Sequence, residues 1–161
     1  MPEDVLSPVD VRILDALQTD GRISNVELAD KVGLSPSPCL RRTRALEEAG
    51  IIRGYRAILE PKALGLGVEA FVQVSIERHR DEDAEAFRRA VATRREIVAC
   101  HVMTGEMDFL LHVLARDLES FGGFVMKVLL KMPGVKDVRS SFVLEVVKSE
   151  TAVPLDHARI G

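Results

Sequence analysis

The apolar positions of this chain follow a helical period three times and then change to strand alternation. Val9, Ile13, Leu14 and Leu17 recur at helix spacing. Ser7 stands where a cap belongs, Pro8 at the first helical position, Asp10 near the positive helix end and Gly21 as a stop. Ser24-Asn25-Val26-Glu27 has the form of a capping box, and Val26, Leu28, Ala29 and Val32 predict a short second helix ending at Gly33. A third helix follows "LSPSP" (Leu34 to Pro38) and ends at Gly50. Helix, glycine turn, helix is the helix-turn-helix pattern. Beyond it "IIRGYRAIL", Ile51 to Leu59, reads as two strand-like pieces around Gly54, a small hairpin or wing.

"EPKALGLG" (60–67) has the composition of a linker. After it the period becomes two. Val68–Ile76 alternates Val72, Val74 and Ile76 with Gln73, Ser75 and Glu77. An amphipathic helix is predicted over Asp83–Arg94 with Phe87 and Val91, then a strand Ile97–Thr104, a turn "GEMD" and a strand Phe109–Ala115. A helix over Asp117–Met132 carries Leu118, Phe121, Val125, Val128 and Leu129 on one side, and Val135–Val147 forms the last strand. Gly122 and Gly123 fall inside that helix, each at a cost of about 1 kcal/mol relative to Ala, and close packing is the expected reason. The order is βαββαβ, the ferredoxin-like split unit. The fold class is thus α+β: a winged helix-turn-helix over 1–59, a linker 60–67, a βαββαβ domain 68–148 and a tail 149–161.

Two strands in this half are apolar on both faces. Val98, Cys100 and Val102 oppose Ile97, Ala99 and Met103; Phe109, Leu111 and Val113 oppose Leu110 and Leu114. An antiparallel sheet wetted on one side alternates apolar with polar instead. Two helices cover one face, so a second copy of the sheet is the simplest cover for the other. Domains of this size also gain from assembly.

Composition narrows the class. A hydrophobic fraction of 47% with 29% charged residues is that of a folded globular chain. The formal charge of −3 argues against indiscriminate polyanion binding but leaves room for a local basic patch. Cys39 and Cys100 lack CxxC spacing, which suits reduced, packed thiols. No apolar run reaches the roughly 18 residues of a membrane span. The acidic N-terminus lacks the plan of a signal peptide. No membrane partner and a cytoplasmic location are expected.

The basic patch lies on the third helix. At about 100° per residue, Cys39, Thr43, Leu46 and Gly50 face the first two helices. Ser37, Arg41, Arg44, Ala45 and Glu48 face away, and Arg42 sits on a flank. Arg53 and Arg56 extend the stripe, so 41–56 carries five arginines against two glutamates while the whole chain is acidic. One reading is a solvated face in which Arg44 pairs with Glu47 or Glu48. The other is a recognition helix: its N-terminal half enters a major groove, and the guanidinium fork suits guanine or phosphate. Ser35, Ser37 and Pro38 shape the helix start, where the hydroxyls can cap the helix or bond a phosphate and free N–H groups favour anions. Caps, turn glycine, basic face and wing together favour DNA.

His79, His101, His112 and His157 share no metal motif. With a hairpin centred on Glu106-Met107, His101 and His112 stand opposite each other, a pair that can titrate together, hold a metal if a third ligand exists, or simply sit at an interface. No resident metal or cofactor is expected, and no nucleophile–base pair or phosphate loop is visible. In the turn, Gly105 gives backbone room for a carboxylate and Glu106 or Asp108 can accept an ammonium group. An ordinary acidic turn reads the same way.

"LDALQTDGRISNVELADKVGLSPSPCLRRTRALEEAGIIRGYRAIL" resembles the DNA-binding domain of the Lrp/AsnC (leucine-responsive/asparagine regulator) transcription factors. "VMTGEMDFLLHVLARDLESF" and "MPGVKDVRSSFVLEVVK" resemble that family's amino-acid-responsive domain. The resemblance implies a regulator that binds double-stranded DNA. It also implies dimers through the second domain, often assembled into octamers, and a small effector, commonly an amino acid. By the same resemblance the effector sits between dimers, near Thr104, Gly105, Glu106, Met107 and Asp108, with the end of the second helix and Ser140 and Ser141 nearby. Met103, Met107, Phe109 and Leu110 tilt the choice toward an apolar or sulfur-containing amino acid. Some relatives with this fold are haem-pathway decarboxylases without DNA binding. Such an enzyme has no use for the arginine stripe, and the stripe here is intact.

Overall fold

Helix α1 (Pro8–Thr19) starts where its cap closes. The Ser7 hydroxyl accepts the Asp10 N–H at 3.2 Å and the Asp10 carboxylate accepts the Ser7 N–H at 2.9 Å, a full capping box. Helix α2 (Asn25–Val32) repeats the device with Ser24 and Glu27 and stops at Gly33, whose φ of +74° is the left-handed conformation that ends helices. Helix α3 (Pro36–Glu48) follows a short turn. The computed structural model describes residues 6–77, 81–148 and 152–156, which leaves His79 and His157 outside.

The chain divides into two units. The first runs to Ile58 and resumes at Lys148; the second is Leu59–Val147. In the first, Ile13, Leu14, Ala16, Leu28, Ala29, Val32, Cys39 and Leu46 form the core. Arg12 Nη2 donates to the Val32 carbonyl at 3.3 Å, so a side chain serves a helix-end carbonyl that would otherwise go unpaired, and Asn25 Nδ2 donates to the Pro36 carbonyl at 2.9 Å, tying α2 to the start of α3. Val26 stays exposed on α2. Residues 152–156 return to this unit, where Leu155 packs against the three-helix core.

The expected hairpin over Ile51–Leu59 does not form: among the described residues, no strand occurs between 51 and 60. Two pieces this short make a ribbon that is marginal without a third strand. Tyr55 holds the segment instead. Its hydroxyl donates to Glu47 Oε1 at 3.0 Å, and its ring lies beside Gly21. Burial, then the Glu47 carboxylate, push that hydroxyl up to about 12.

The second unit is a four-stranded antiparallel sheet in the order β2-β3-β1-β4, with β1 Val68–Ile76, β2 Ile97–Val102, β3 Phe109–Ala115 and β4 Val135–Phe142. Helices α4 (Asp81–Ala92) and α5 (Leu118–Lys127) supply Phe87, Val91, Phe121 and Phe124 to a core with Ala70, Val72, Val74, Phe109, Leu111 and Val113. The expected linker holds a short 3-10 turn, Lys62–Leu64, and belongs to this unit.

Five expectations needed revision. A bulge between Ile97 and Ala99 breaks the alternation of β2, so Ile97 pairs with Val113 and joins the core side with Cys100 and Val102. The predicted long helix ends at Lys127, gives way to a 3-10 turn Leu129–Lys131, and leaves Leu118 exposed in its first turn. Strand β4 stops at Phe142, and Leu144 and Val147 are exposed. A Cβ on Gly122 or Gly123 would meet no atom within 4 Å, so crowding within the chain is not why they are glycine. Both cysteines are free; Cys39 is buried, and Cys100 is exposed rather than packed.

Candidate functional site

Helix α3 presents the face its periodicity predicts. Cys39, Thr43 and Leu46 are buried, while Ser37, Arg41, Arg44, Ala45 and Glu48 are exposed. Leu40 is also exposed, so 37, 40, 41 and 44 make a continuous outward strip at helical spacing. Arg41 and Arg44 have no ion pair or side-chain hydrogen bond among the described residues, and Glu47 accepts from Tyr55 rather than Arg44. Arg53 and Arg56 are likewise exposed and unpaired among the described residues.

Arg42 differs. Its Nη1 donates to Asp10 Oδ1 at 2.9 Å and to the Ser7 hydroxyl at 3.0 Å, so it ties α3 to the cap of α1. Burial pushes the Asp10 carboxyl up, but hydrogen bonds from Ser7 and then Arg42 outweigh it and hold Asp10 below its ordinary value of 3.8. A lowered carboxyl stabilises the fold above its unfolded value and ceases to do so as pH falls through the folded one. Stability of the helical unit should therefore drop as pH is taken below 3.8, and Asp10→Asn should flatten that part of a pH–melting-temperature profile.

The start of α3 is a poorer anion site than its position suggests. Ser35 is the N-cap but makes no side-chain cap bond. Pro36 and Pro38 carry no N–H, and the Cys39 N–H is bonded to the Ser35 carbonyl at 3.2 Å. Among the described residues the Ser35 and Ser37 amides alone are left for an anion there. Positive charge on this face comes from side chains, and the exposed Ser35 and Ser37 hydroxyls remain as donors.

On the sheet unit, residues 103–108 form a loop closed by the Met103 N–H bond to the Asp108 carbonyl at 2.9 Å, with Gly105 at φ +108°. Asp108 fastens this loop to β1: its N–H donates to the Val74 carbonyl at 3.1 Å and its Oδ2 accepts the Ile76 N–H at 2.9 Å. Glu106 and Met107 then line a hollow of about 80 Å³ with Gln73 and Ser75 of β1 and Asp137 and Arg139 of β4. Arg139 Nε lies 3.3 Å from Asp137 Oδ2. Thr104 and Gly105 sit exposed in the loop and do not line the hollow. Ser141 lies on the outer face opposite Phe71, and Ser140 on the core side opposite Val72.

His101 and His112 do not face each other. Val102 pairs with Phe109 and His101 with Leu110, so the hairpin centres one residue earlier than expected, on Gly105-Glu106, and Ala99 stands across from His112. His112 Nε2 lies 2.7 Å from Glu69 Oε1, and its ring stacks on Phe71 at 4.8 Å. Among the described residues no three potential metal ligands come together.

Two family models match the chain. Residues 6–53 fit a winged helix-turn-helix DNA-binding model and residues 69–153 fit the Lrp/AsnC ligand-binding domain. The chain belongs to the Lrp/AsnC family of transcriptional regulators. It is 43% identical to the leucine-responsive regulatory protein of Escherichia coli K12 over 147 residues, 91% of this chain and 90% of that one. A transcriptional regulator of Neisseria meningitidis solved in complex with L-methionine has 45% identity and a TM-score of 0.92, covering 95% of this chain and 99% of its own. An AsnC-family regulator of Agrobacterium tumefaciens has 35% identity and a TM-score of 0.88, covering 94% and 98%.

Against this Lrp/AsnC frame, sequence reasoning missed three things. Leu40 is apolar and so carries no signal of charge or polarity, yet its spacing from Ser37, Arg41 and Arg44 puts it on the outward strip. The brace on Arg42 needed the pairing of positions 32 apart, which no local pattern reveals. Gln73 and Ser75 did carry a signal, polar at alternate positions between Val72, Val74 and Ile76, and Asp137 and Arg139 flank Val138 in the same way. Among the described residues no helix is long and apolar enough to cross a membrane.

Proposed function

We propose that α3 of this regulator enters the major groove with Arg41 and Leu40 toward base edges. Arg44, Arg53, Arg56, Ser35 and Ser37 then meet phosphate and sugar, and Pro38 sets the pitch of the helix start. The observation that carries this is the pair of guanidinium groups, Arg41 and Arg44, without a partner among the described residues and on the outward side of a helix whose other side is buried. Arg fits guanine bidentately and Leu fits a thymine methyl, so together they can discriminate sequence. Arg42 braces the helix through Nη1, and its remaining nitrogens stay available to a phosphate.

The outer face of the sheet, with Phe71, Leu110, Leu114 and His112, is covered by the same face of a second copy in this reading. A twofold dimer then presents two α3 helices to successive major grooves. Further dimers assemble toward an octamer and close the hollow at Glu106, Met107 and Arg139 around an amino acid. Arg139 suits the carboxylate, Glu106 the ammonium group, and Met107 an apolar or sulfur-containing side chain. The L-methionine complex of the Neisseria relative supports that class. Binding changes the arrangement of dimers and so the operator geometry that fits, and by linkage DNA changes effector affinity by the same factor. The protein acts in the cytoplasm and catalyses no reaction.

The test is a mobility-shift assay on the DNA upstream of the protein's own gene, with each amino acid added in turn. One apolar or sulfur-containing amino acid should change the affinity. Asp108→Ala removes the acceptor for the Ile76 amide and unfastens the loop. That variant should lose the response, a change of about 1–3 kcal/mol in coupling, while retaining DNA affinity without effector. An unchanged response would remove the loop from the effector site.

A further inference from the structure

Residues 152–156 belong to the helical unit and carry no regular secondary structure. Gln18, on α1, grips Val153 with both ends of its amide: Nε2 donates to the Val153 carbonyl at 3.2 Å and Oε1 accepts the Val153 N–H at 2.6 Å. A side-chain amide that satisfies both backbone groups of one residue acts as a strand neighbour would, fixing position and direction together. Two residues on, Leu155 packs half-buried against the three-helix core. Between Gln18 and Val153 the chain has left this unit, built the whole four-stranded sheet and come back. The two units are therefore joined by the backbone twice, once after Ile58 and once before Lys148.

We infer that residues 152–156 are a coupling strap, and that Gln18 and the core edge around Leu155 are its seat. Movement at the end of β4 is delivered to the C-terminal half of α1 through the strap. Helix α1 is short and its other end holds Arg42 of α3 through Asp10, so tension at Gln18 reaches the outward strip through one rigid element and one ion pair. The consequence for unfolding needs only the seat; the consequence for ligand response rests on the effector-responsive reading above.

The experiment compares the full chain with Gln18→Ala/Leu155→Ala, with the milder Gln18→Glu, and with a chain ended after Lys148. Calorimetry should show one joint transition for the wild type and two separated transitions for the double variant and the shortened chain. Gln18→Glu keeps the acceptor for the Val153 N–H but loses the donor to its carbonyl, and should fall between. Hydrogen exchange at the Val153 amide should be slow in the wild type and fast in the double variant. With L-methionine at about 10 mM as probe, the change in DNA affinity seen in the wild type should shrink toward one in the variants, while affinity without it stays within about threefold. A freely exchanging Val153 amide in the wild type, or superimposable thermograms, would overturn the strap. If the wild type ignores L-methionine and every other amino acid but the thermograms still split, the effector reading fails and the strap stands.

Discussion

Replacing Arg41 by alanine should cost about 1–3 kcal/mol on the specific operator, or roughly 5- to 150-fold in affinity, with little change on unrelated DNA. The asymmetry follows from geometry. Arg41 is exposed on the outward strip beside Leu40 and Ser37 and is spoken for by no carboxylate among the described residues, so its removal leaves the fold intact. Arg44→Ala provides the contrast. It should weaken all sequences alike and lower the slope of log affinity against log salt by about one phosphate's worth, near 0.9. Arg42→Ala should behave in a third way, lowering the melting temperature as well as the affinity, because it releases Asp10 and Ser7. Fluorescence anisotropy on operator and scrambled duplexes over a range of salt separates the three. Equal operator affinity for wild type and Arg41→Ala would remove base reading from this residue.

The second large effect is expected inside the sheet unit. Phe87 has no solvent exposure, and its ring lies 4.7 Å from that of Phe109 at an angle of 48°. Phe87→Ala should destabilise this unit by about 3–5 kcal/mol, since it loses the buried ring and leaves a cavity that the sheet cannot collapse to fill. That is a large part of the roughly 5–15 kcal/mol that holds a domain folded. Phe87→Leu should cost about 1–2 kcal/mol, because most of the volume is retained. Urea unfolding, with amide exchange of β1 and β3 as the local probe, measures both. A loss below about 1 kcal/mol for Phe87→Ala would mean that the ring is not the keystone its burial implies.

The legible parts of this fold were those written in local patterns. Ser7 and Ser24 gave away two helix starts, and the buried side of α3 came directly from residue spacing. β3 was bounded to the residue because an apolar stretch, interrupted only by His112, lies between the GEMD turn and Arg116. Illegible parts depended on partners far along the chain. The bulge beside Ile97 moved one side chain across the sheet, and nothing in its neighbours announces an unpaired residue. A shift of one residue in the loop centre separated His101 from a position opposite His112. The candidate loop was readable as a loop, but the bond that fastens Asp108 to β1 requires knowing that Ile76 passes within reach. The hollow beside it combines β1, β4 and the loop, three segments that adjoin only once the sheet order is known.

The tie between Arg42 and the Ser7–Asp10 cap also bears on transplantation. Swapping the reading helix between homologous proteins is the obvious way to redirect one to another's promoter. Here the graft would have to include two residues from the far end of a different helix, or the imported segment would arrive without its anchor and point at the wrong angle. If α3 reads the operator as proposed, chimaeras cut at its borders should underperform those that carry Ser7 and Asp10 with it.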